Sequence, residues 1–409
     1  MLPIMALLAI LAVSGAALAV DVARAHAVRN QLQLTADAAA LAAAINLPDM
    51  DAARKAAHRY AARNMPNHSL LIGSDAIEFG HWNPDTRNIE PDKVAPSAVR
   101  VTPSLSAEKG NALLTLFAGV LGSDRLDVSA SAVAGKRSPI CILALEPEKA
   151  DALGMDIAAN IEALNCTVQV NSRDRWAFRI WLGSQFLASG LCVTGNVYVS
   201  LLSRVTPEPT IGCPPQPDPL AGLQPPETAG CDFSDTILSG HHGILHPGVY
   251  CGGLIIDGAS RVELAAGVYV IKDGPLAIGD SSEVSGDGIT FYLTGEKSLI
   301  RFHDDSQLTL TAPTDGDLAG ILVFQDRNFG GDHIWDSNAP TTLHGTVYLP
   351  EGRLLSESSN AITPVGSCNV LIAKSLRLKL HSAISIDLGQ KHCQSYLPAA
   401  VLGTVALLE

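Results

Sequence analysis

The 409-residue chain has few aromatic side chains and a shortage of basic ones. Aromatic residues make up 5% and charged residues 17%, and 28 Lys and Arg against 41 Asp and Glu give a formal net charge of -13. Duplex binding needs a basic surface, and binding of single strands or sugars needs rings for stacking. The composition therefore predicts no nucleic-acid partner. The apolar share of 47% argues equally against a disordered chain.

Signatures of common catalytic and ligand-binding sites are also missing. The chain has no P-loop, no GxGxxG after a strand, no GxSxG elbow and no EF-hand loop. Each of these motifs places backbone or side-chain groups for phosphate binding, acyl transfer or calcium binding. We therefore expect no enzyme activity, no cofactor and no bound metal.

Residues 1–20 carry no charged side chain. About twenty apolar residues in a helix suffice to cross the hydrocarbon core of a bilayer. The alternative is a cleaved signal peptide, because Ala17-Leu18-Ala19 has the small-x-small pattern that signal peptidase requires. The length of the run and the lack of a basic segment before it favour a transmembrane anchor over residues 1–20.

Cysteine is absent from the first 140 residues, and the eight cysteines form no CxxC pair. Zinc ribbons and thioredoxin-like sites bring cysteines together in close pairs, whereas an even number in an exported domain indicates disulfides. Buried free thiols are the alternative. We expect bridges between sequence neighbours among Cys141, Cys166, Cys192, Cys213, Cys231, Cys251, Cys368 and Cys393.

An alanine-rich stretch, residues 21–65, follows the apolar run and predicts a long helix that continues from it. Leu32, Ala36, Ala39 and Ala43 recur at i, i+4, i+7 and i+11, which makes one stripe of small residues. Small faces allow close approach of another helix. We interpret the stripe as a helix-association surface; the alternative is that it packs within its own domain.

A small α+β module completes residues 21–137. Alternating apolar residues predict strands, and a four-residue apolar spacing predicts helices. These patterns predict helices over 51–63 and 111–122 and strands over 76–82, 98–102 and 125–130. A long helix before a small sheet has the layout of a pilin-like subunit.

Residues 19–44 carry a more specific pattern. An apolar helix ends at Asp21-x-x-Arg24, continues through Leu32-Gln33 and enters the tract Ala36-Asp37-Ala38-Ala39-Ala40-Leu41-Ala42. This order resembles the N-terminal signature of TadE/TadG-like Flp pilus-assembly proteins, with Leu34-Thr35 as a departure from small or polar residues.

Later residues fit the TadG type of that family, namely Phe79-Gly80-x-Trp82, Val99-Arg100-Val101 and Asp127-Val128-Ser129-Ala130. The Asp-x-Ser-x-Ser motif of a von Willebrand A domain is absent, so the resemblance implies a TadG type without that domain and without its metal site. It also implies pilus-assembly or pilin-like proteins as partners.

The charges around the apolar run conflict with that topology. Positive residues normally stay on the cytoplasmic side of an anchor, yet Arg24 and Arg29 follow the run and none precedes it. The resemblance implies the opposite: a bacterial inner-membrane protein with one span and its C-terminal region in the periplasm or outside. We therefore expect that Met1 is an internal methionine and that a basic extension precedes it in the native chain.

Residues 138–400 are rich in glycine and short strands. Pro247-Gly248-Val249-Tyr250 recurs as Ala266-Gly267-Val268-Tyr269, and similar segments follow at 287–292, 319–324 and 344–349. Short strands with a repeat of roughly twenty to thirty residues predict an all-β, right-handed parallel β-helix. A β-sandwich is the alternative. The repeats predict that Val249, Val268 and Ile289 stack in register, facing inward.

Two segments fall outside this repeat. Residues 206–228 contain eight prolines and predict an extended insertion on the surface, stapled by Cys213. Residues 401–409 are expected to form a C-terminal tail.

Histidine and aspartate clusters offer the candidate chemistry of this region. His241, His242 and His246 could be a metal site, but solvated turns explain them more simply. Acids on neighbouring turns could cleave a polysaccharide, because an inverting glycosidase needs two suitably spaced carboxyl groups. The residues concerned are His303, Asp304, Asp305, Asp326, Asp332, His333 and Asp336.

Two classes of function remain open. The first is a membrane-anchored structural or assembly protein of the Tad/Flp pilus, without catalysis. The second is a membrane-tethered β-helix protein that binds or cleaves a surface polysaccharide. The resemblance over residues 1–140 favours the first.

Overall fold

The computed structural model describes residues 2–408 with several gaps. The gaps are residues 69, 74, 84–85, 93–95, 137, 338, 340, 357–367 and 404, and only the backbone is described at 2–16, 120–121, 136, 391 and 394. The chain forms two compact units. The first comprises Met1–Arg137 and Thr404–Glu409, and the second comprises Ser138–Gly403.

Two helices begin the first unit. Helix α1 runs over Leu2–Ile45, and α2 runs over Met50–Asn64 with the Asp49 carboxylate accepting the N–H groups of Asp51 and Ala52 at its start. The cap satisfies donors that the first turn leaves open. Within the described part of the chain, no helix has both the length and the apolarity needed to cross a bilayer. Most side chains of the predicted anchor, residues 1–20, lie outside the described set.

The sheet of the first unit is antiparallel, and its strands lie in the order β2 (Asn88–Pro91), β1 (Ile77–Asn83), β3 (Ala98–Val101), β8 (Ala132–Lys136) and β32 (Val405–Leu407). The last strand, β32 (Val405–Leu407), pairs with β8. The predicted C-terminal tail is therefore wrong for these residues, because they complete the first unit's sheet. The other strands of this unit are β4 (Ser104–Leu105), β5 (Leu113–Leu114), β6 (Arg125–Leu126) and β7 (Val128–Ser129).

The helix predicted over 111–122 is also largely wrong. Leu113–Leu114 is a short strand paired with Arg125–Leu126, and only Ala118–Leu121 is helical, as a 3₁₀ turn ending at left-handed Gly122. The apolar spacing that predicted the helix instead leaves several of these side chains exposed.

The second unit is built from parallel strands. Strand β20 (Arg261–Leu264) pairs with β23 (Glu283–Gly286), and β23 pairs with β26 (Gln307–Thr311). In the same way β21 (Gly267–Lys272) pairs with β24 (Ile289–Thr294), and β24 pairs with β27 (Ile321–Gln325), so the chain returns to the same stack after every third strand. Its strands are β9 (Ile140–Ala144), β10 (Leu153–Met155), β11 (Asn160–Val170), β12 (Phe178–Ile180), β13 (Gln185–Val193), β14 (Val197–Val199), β15 (Arg204–Thr206), β16 (Thr210–Ile211), β17 (Phe233–Ser239), β18 (His242–Leu245), β19 (Gly248–Asp257), β20 (Arg261–Leu264), β21 (Gly267–Lys272), β22 (Leu276–Ile278), β23 (Glu283–Gly286), β24 (Ile289–Thr294), β25 (Ile300–His303), β26 (Gln307–Thr311), β27 (Ile321–Gln325), β28 (Gly331–Asp336), β29 (Thr341–Ser356), β30 (Asn369–Leu378) and β31 (Ala383–Asp387).

The turns of this parallel coil are not stacked in chain order. Strand β9 pairs with β30 on one side and with β11 on the other, so the turns formed by residues 140–211 continue beyond the last turn of the chain. At the far edges, β16 pairs with β13 and β17 pairs with β19. The chain must therefore travel the length of the coil between residues 211 and 233.

The predicted proline-rich insertion spans the length of the coil. Residues 204–206 and 210–211 are still strands of the coil, so the extended segment begins later than predicted and is defined here as the strap, residues 213–231. The stack between β16 and β17 runs through β13, β11, β9, β30, β29, β27, β24, β21 and β19, which makes ten strand spacings of about 4.8 Å. An extended proline-rich chain covers about 3.1 Å per residue, so the strap is long enough to span them. Proline suits this path because it needs no ladder hydrogen bonds.

Contacts along the strap follow its direction. Asn171 Nδ2 on the coil donates to the Gln216 carbonyl, Tyr348 donates to Asp218, and Arg327 donates to the Leu220 and Leu223 carbonyls. Each successive partner lies on a coil turn nearer to β17. The strap is thus bound to the coil throughout by specific polar contacts.

The predicted register of the repeats is wrong, although the parallel pairing is present. Val249 lies opposite Val270, and Val268 lies opposite Thr290, so Val249, Val268 and Ile289 do not form one stack. The inward stack is aromatic, with the rings of Tyr250 and Tyr269 stacked at a centroid distance of 6.0 Å.

The reason is a second apolar layer on the outside of the same strands. Val249 and Val270 face this layer, which is covered by Leu220 of the strap and by Leu397 near the C-terminus. A strand buried on both faces shows a continuous apolar run, which carries no alternation from which to read the inward residues.

Candidate functional site

The best-defined polar site in the first unit lies where the charge-free run ends. The carboxylate of Asp21 accepts the backbone N–H groups of Leu116, Phe117 and Ala118 at 2.8, 2.9 and 2.8 Å. These donors stand at the start of the 3₁₀ turn Ala118–Leu121, where a helical turn leaves N–H groups without internal partners. One carboxylate therefore fixes a surface segment to the helix.

Ionisation of Asp21 is favoured by these bonds. The N–H of Leu116 is the largest cause that holds the pKa of Asp21 below its ordinary value, with Ala118 and Phe117 adding to it against the opposing effect of desolvation. The side chain is buried although it carries a charge. Hydrogen bonds from backbone N–H groups therefore stabilise the buried negative charge of Asp21.

Arg24 acts on the same segment from one turn further along α1. Its Nη1 donates to the Leu114 carbonyl at 3.3 Å. Residues three apart lie on one face of a helix, so Asp21 and Arg24 reach the same neighbour. The Asp-x-x-Arg pair thus has a structural role in holding residues 114–118.

A groove of about 470 Å³ lies between α1 and residues 115–128, with Leu18, Val22 and Leu126 in its lining. Its lining also includes polar side chains, among them Asp21, Arg29 and Asp127. We define the apolar rim as Leu18, Val22, Leu114, Leu116, Phe117 and Leu126, all of which are exposed.

The predicted helix-association stripe is placed elsewhere. Leu32, Ala36, Ala39 and Ala43 are fully buried in the core that α1, α2 and the sheet of the first unit build together. The prediction that the stripe is a surface for a partner helix is therefore corrected, because the unit's own elements cover it. Its small side chains allow those elements to approach closely.

All eight cysteines are paired in the structure, and no free cysteine is present in the chain. The predicted disulfides between sequence neighbours are present as Cys141–Cys166, Cys192–Cys213, Cys231–Cys251 and Cys368–Cys393. Two of them hold the ends of the strap, because Cys213 is joined to β13 and Cys231 to β19. The staple predicted at Cys213 has a counterpart at the other end.

The histidine cluster remains a surface feature. His241, His242 and His246 are exposed, with His242 beginning strand β18. Among the described residues, two groups place three candidate ligand atoms close together, and neither includes these histidines. They are Cys368–His392–Cys393, whose sulfurs are joined, and the solvent-facing group Asp280–His303–Asp304.

The acids proposed for polysaccharide cleavage have structural partners. Asp332 forms a two-point ion pair with Arg353, at 2.6 and 2.9 Å. Asp326 accepts the Thr294 hydroxyl and the Asn328 N–H. Desolvation is the largest single influence on Asp326 and raises its pKa, but the hydrogen bonds from Asn328 and Thr294 together outweigh it, so the pKa is lowered. The pKa of Asp332 is lowered chiefly by Arg353. Both carboxyls are therefore anionic at neutral pH, whereas a general acid needs a raised pKa.

The remaining members of that set are divided between interior and surface. His333 is fully buried, its Nδ1 accepts the Ile300 N–H at 3.1 Å, and burial lowers its pKa to about 3. His303 contacts Asp304 at the surface, Asp305 occupies a left-handed turn position, and Asp336 ends strand β28. Of this set, His303 and Asp304 are joined at the surface, whereas His333 lies in the interior and Asp332 is paired with Arg353.

The sequence reasoning missed the apolar rim and the partners of the strap. Phe117 falls on the apolar side of the helix predicted over 111–122, together with Leu113, Leu114 and Leu121, and that prediction hides its exposure. The available signal was Asp21, a lone carboxylate at the end of an apolar run, which required donors from another segment.

Comparison with known protein families gives one match. Residues 23–134 match the family model described as "Putative Tad-like Flp pilus-assembly". No curated protein and no solved structure matches the chain. The match lies within the first unit, starts just before Arg24, and confirms the resemblance to Tad-like pilus-assembly proteins. It supports involvement of this protein in Flp pilus assembly.

Proposed function

We propose that this protein is a membrane-anchored, non-catalytic structural or assembly component of the Tad/Flp pilus. The observation that carries the proposal is the family match over residues 23–134, which coincides with a folded unit of helix and sheet. Residues 1–20 serve as the single inner-membrane anchor in this proposal, and the second unit lies in the periplasm or outside.

The first unit is suited to a role at the membrane. Helix α1 continues without a break from the charge-free run into this unit, and Asp21 fixes the 116–118 backbone at the boundary. Because the helix is continuous and Asp21 binds the first unit where the charge-free run ends, the folded unit is held at a fixed distance from the anchor.

The second unit is suited to an exported environment. Its parallel pairing and its return to the same stack every three strands support a right-handed parallel β-helix, because parallel crossovers are overwhelmingly right-handed. Four disulfides support folding outside the reducing cytoplasm.

Partner contacts are expected on the exposed side of α1. Leu34 and Ile45 are large apolar residues that remain exposed, whereas the alanine stripe is buried. We assign pilus-assembly or pilin-like proteins as the partners of this exposed side. The polysaccharide function gains no support from the family match, and no observation favours it.

Crosslinking in the native cells tests the proposal. A photo-crosslinking amino acid at Leu34 is expected to capture a pilus-assembly or pilin-like protein, and the same group at exposed Leu380 in the second unit serves as the control. A deletion strain is expected to lose Flp pili. Normal pili in that strain, together with no pilus-assembly protein captured at Leu34, would overturn the proposed role.

Topology is tested separately in spheroplasts. Added protease is expected to reach the second unit, and alkylation of the denatured, non-reduced protein is expected to leave the cysteines unlabelled until a reductant is added. Complete protection of the second unit, with labelling before reduction, would place it in the cytoplasm and contradict the outward topology.

A further inference from the structure

The apolar rim is a feature of the first unit that packing within the unit does not explain. Leu116 and Phe117 are 61% and 46% exposed, and both stand beside the point where α1 leaves the charge-free run. Monomeric soluble proteins rarely leave neighbouring large apolar side chains together on the surface without a binding role. Because Asp21 of α1 holds Leu116 and Phe117, their level along this helix indicates what covers them.

Asp21 sets that position. Its carboxylate holds the backbone of residues 116–118, and it is the first residue after the charge-free run. If the run fills the hydrocarbon core, residue 21 lies at its edge, and the side chains of Leu116 and Phe117 lie at the same level. Apolar and aromatic side chains at this depth enter the boundary between headgroups and acyl chains.

The backbone of the segment is prepared for this contact. An N–H group that loses water without gaining a partner costs free energy, and the penalty grows in a lipid environment. The N–H groups of 116, 117 and 118 are already satisfied by Asp21, and the Leu114 carbonyl accepts from Arg24. The segment can therefore approach lipid without leaving these groups unpaired.

We propose that the apolar rim rests on the lipid bilayer surface, so that the first unit contacts the membrane through Leu116 and Phe117 as well as through the anchor. This inference rests on the proposed anchoring by residues 1–20. It gives the first unit a fixed tilt against the membrane, since two separate points of contact define an orientation that one flexible anchor does not.

Charge around the rim is balanced. Arg24, Arg29 and Arg125 are offset by Asp21, Asp124 and Asp127 in the same region. Contact with the bilayer therefore depends on apolar partition rather than on anionic lipid, which acts through basic clusters. Binding at the rim is expected to be similar in neutral vesicles and in vesicles with one quarter phosphatidylglycerol.

Lipid photo-crosslinking of the full chain in vesicles tests the contact. Vesicles of pure phosphatidylcholine, and of phosphatidylcholine with one quarter phosphatidylglycerol, carry the protein with a benzophenone amino acid at position 117. The control position is Leu202 in the second unit, which is 83% exposed. At least tenfold more lipid adduct is expected at position 117 than at position 202.

A second measurement uses a readout away from the altered side chains. With the benzophenone group at Leu126, the double variant Leu116→Ser, Phe117→Ser is expected to lower the lipid adduct about tenfold, the change that a loss of 1.4 kcal/mol in partition produces. The matched variant Leu201→Ser, Leu202→Ser replaces two residues that are 81% and 83% exposed and is expected to change nothing.

Four outcomes are informative. Extraction of the vesicles with alkaline carbonate shows whether the protein is anchored, because an integral protein stays with the lipid. Protein that resists this extraction and carries lipid adducts at position 117 supports the inference. Carbonate-resistant protein with no more adduct at 117 than at 202 overturns the inference and leaves the anchor standing. Protein that carbonate removes, without adducts, overturns the anchor and the inference together. Adducts at 117 between two copies of the chain, in place of lipid, overturn it in favour of self-association.

Discussion

The two units reach stability by opposite routes. The core of the first unit is made largely of alanine, including Ala39, Ala43 and Ala57, and it contains no cysteine. The second unit stacks bulky side chains such as Tyr269, Phe291 and Trp335, and it carries all four disulfides.

The difference shows how each unit solves its own packing problem. Helices with alanine faces approach closely and leave no space that bulky side chains must fill, so they do not tolerate larger residues at the contact. A stack of short strands has a large inner volume to fill, and each turn depends on its neighbours. The first unit should therefore be sensitive to enlargement of its buried side chains, and the second to loss of the bridges that hold the strap to the coil.

The largest expected effect is on the strap. Removing both end bridges with Cys192→Ser, Cys213→Ser, Cys231→Ser and Cys251→Ser is expected to lower the unfolding free energy of the second unit by about 5 kcal/mol, since each native disulfide contributes roughly 2–5 kcal/mol. Denaturant unfolding measures this loss, and hydrogen exchange should show the strap opening.

The matched control is Cys141→Ser with Cys166→Ser. This bridge joins β9 to β11 and holds neither end of the strap, so its loss is expected to destabilise the unit while leaving the strap protected. Equal protection of the strap in both variants would show that its polar contacts hold it without the bridges.

The next largest effect is expected from enlarging a buried alanine in the first unit. Ala39→Leu adds volume at a fully buried position of α1 and is expected to cost about 3 kcal/mol, the upper part of the range for overpacking. Ala27→Leu on the exposed side of the same helix makes the same chemical change and should be neutral. Unchanged stability of Ala39→Leu would return the stripe to the role of a free association surface.

A smaller effect concerns the strap's polar attachment. Tyr348 is fully buried, donates to Asp218 at 2.6 Å and accepts from Arg327 Nε at 3.1 Å. Burial raises its pKa, so the hydroxyl stays a donor at any working pH. Tyr348→Phe is expected to cost about 2 kcal/mol in denaturant unfolding, as for hydrogen bonds to charged groups. Exposed Tyr198→Phe is the control, and an equal loss there would remove the argument.

The smallest effect separates the units by pH. Burial lowers the pKa of His333 to about 3 from 6.5, so protons favour the unfolded second unit as pH falls below 6.5. Between pH 8 and pH 6 this linkage is expected to remove about 1 kcal/mol. The lowered pKa of Asp21 acts in a different window: its stabilisation is complete above the ordinary value of 3.8 and is lost only below it.

Unfolding at pH 8 and pH 6 measures this difference. His333→Gln should remove about 1 kcal/mol of the loss in the second unit between these values and leave the part that comes from His344, whose pKa is also lowered by burial. His242→Gln at an exposed position should retain the whole loss. A pH dependence that survives His333→Gln unchanged would assign it to another group.

The sequence by itself determined the local features of this protein. Alanine and leucine without glycine or proline specify the long helix, because they are strong helix formers. The order of Asp21, Arg24 and the alanine tract predicted the resemblance to Tad-like pilus-assembly proteins that the match over residues 23–134 confirms. The even cysteine count and the glycine-punctuated strands indicated the bridges and the parallel pairing.

Only the tertiary structure decided which surfaces meet. The alanine stripe fits a partner helix and its own sheet equally well, because small side chains suit either neighbour. The apolar runs around Val249 and Val268 do not reveal their register, because both faces of those strands are buried. The stacking of turns 140–211 beyond β30 depends on pairing between residues more than two hundred positions apart, which no local pattern encodes. The strap then follows from that order, since the chain must return along the coil.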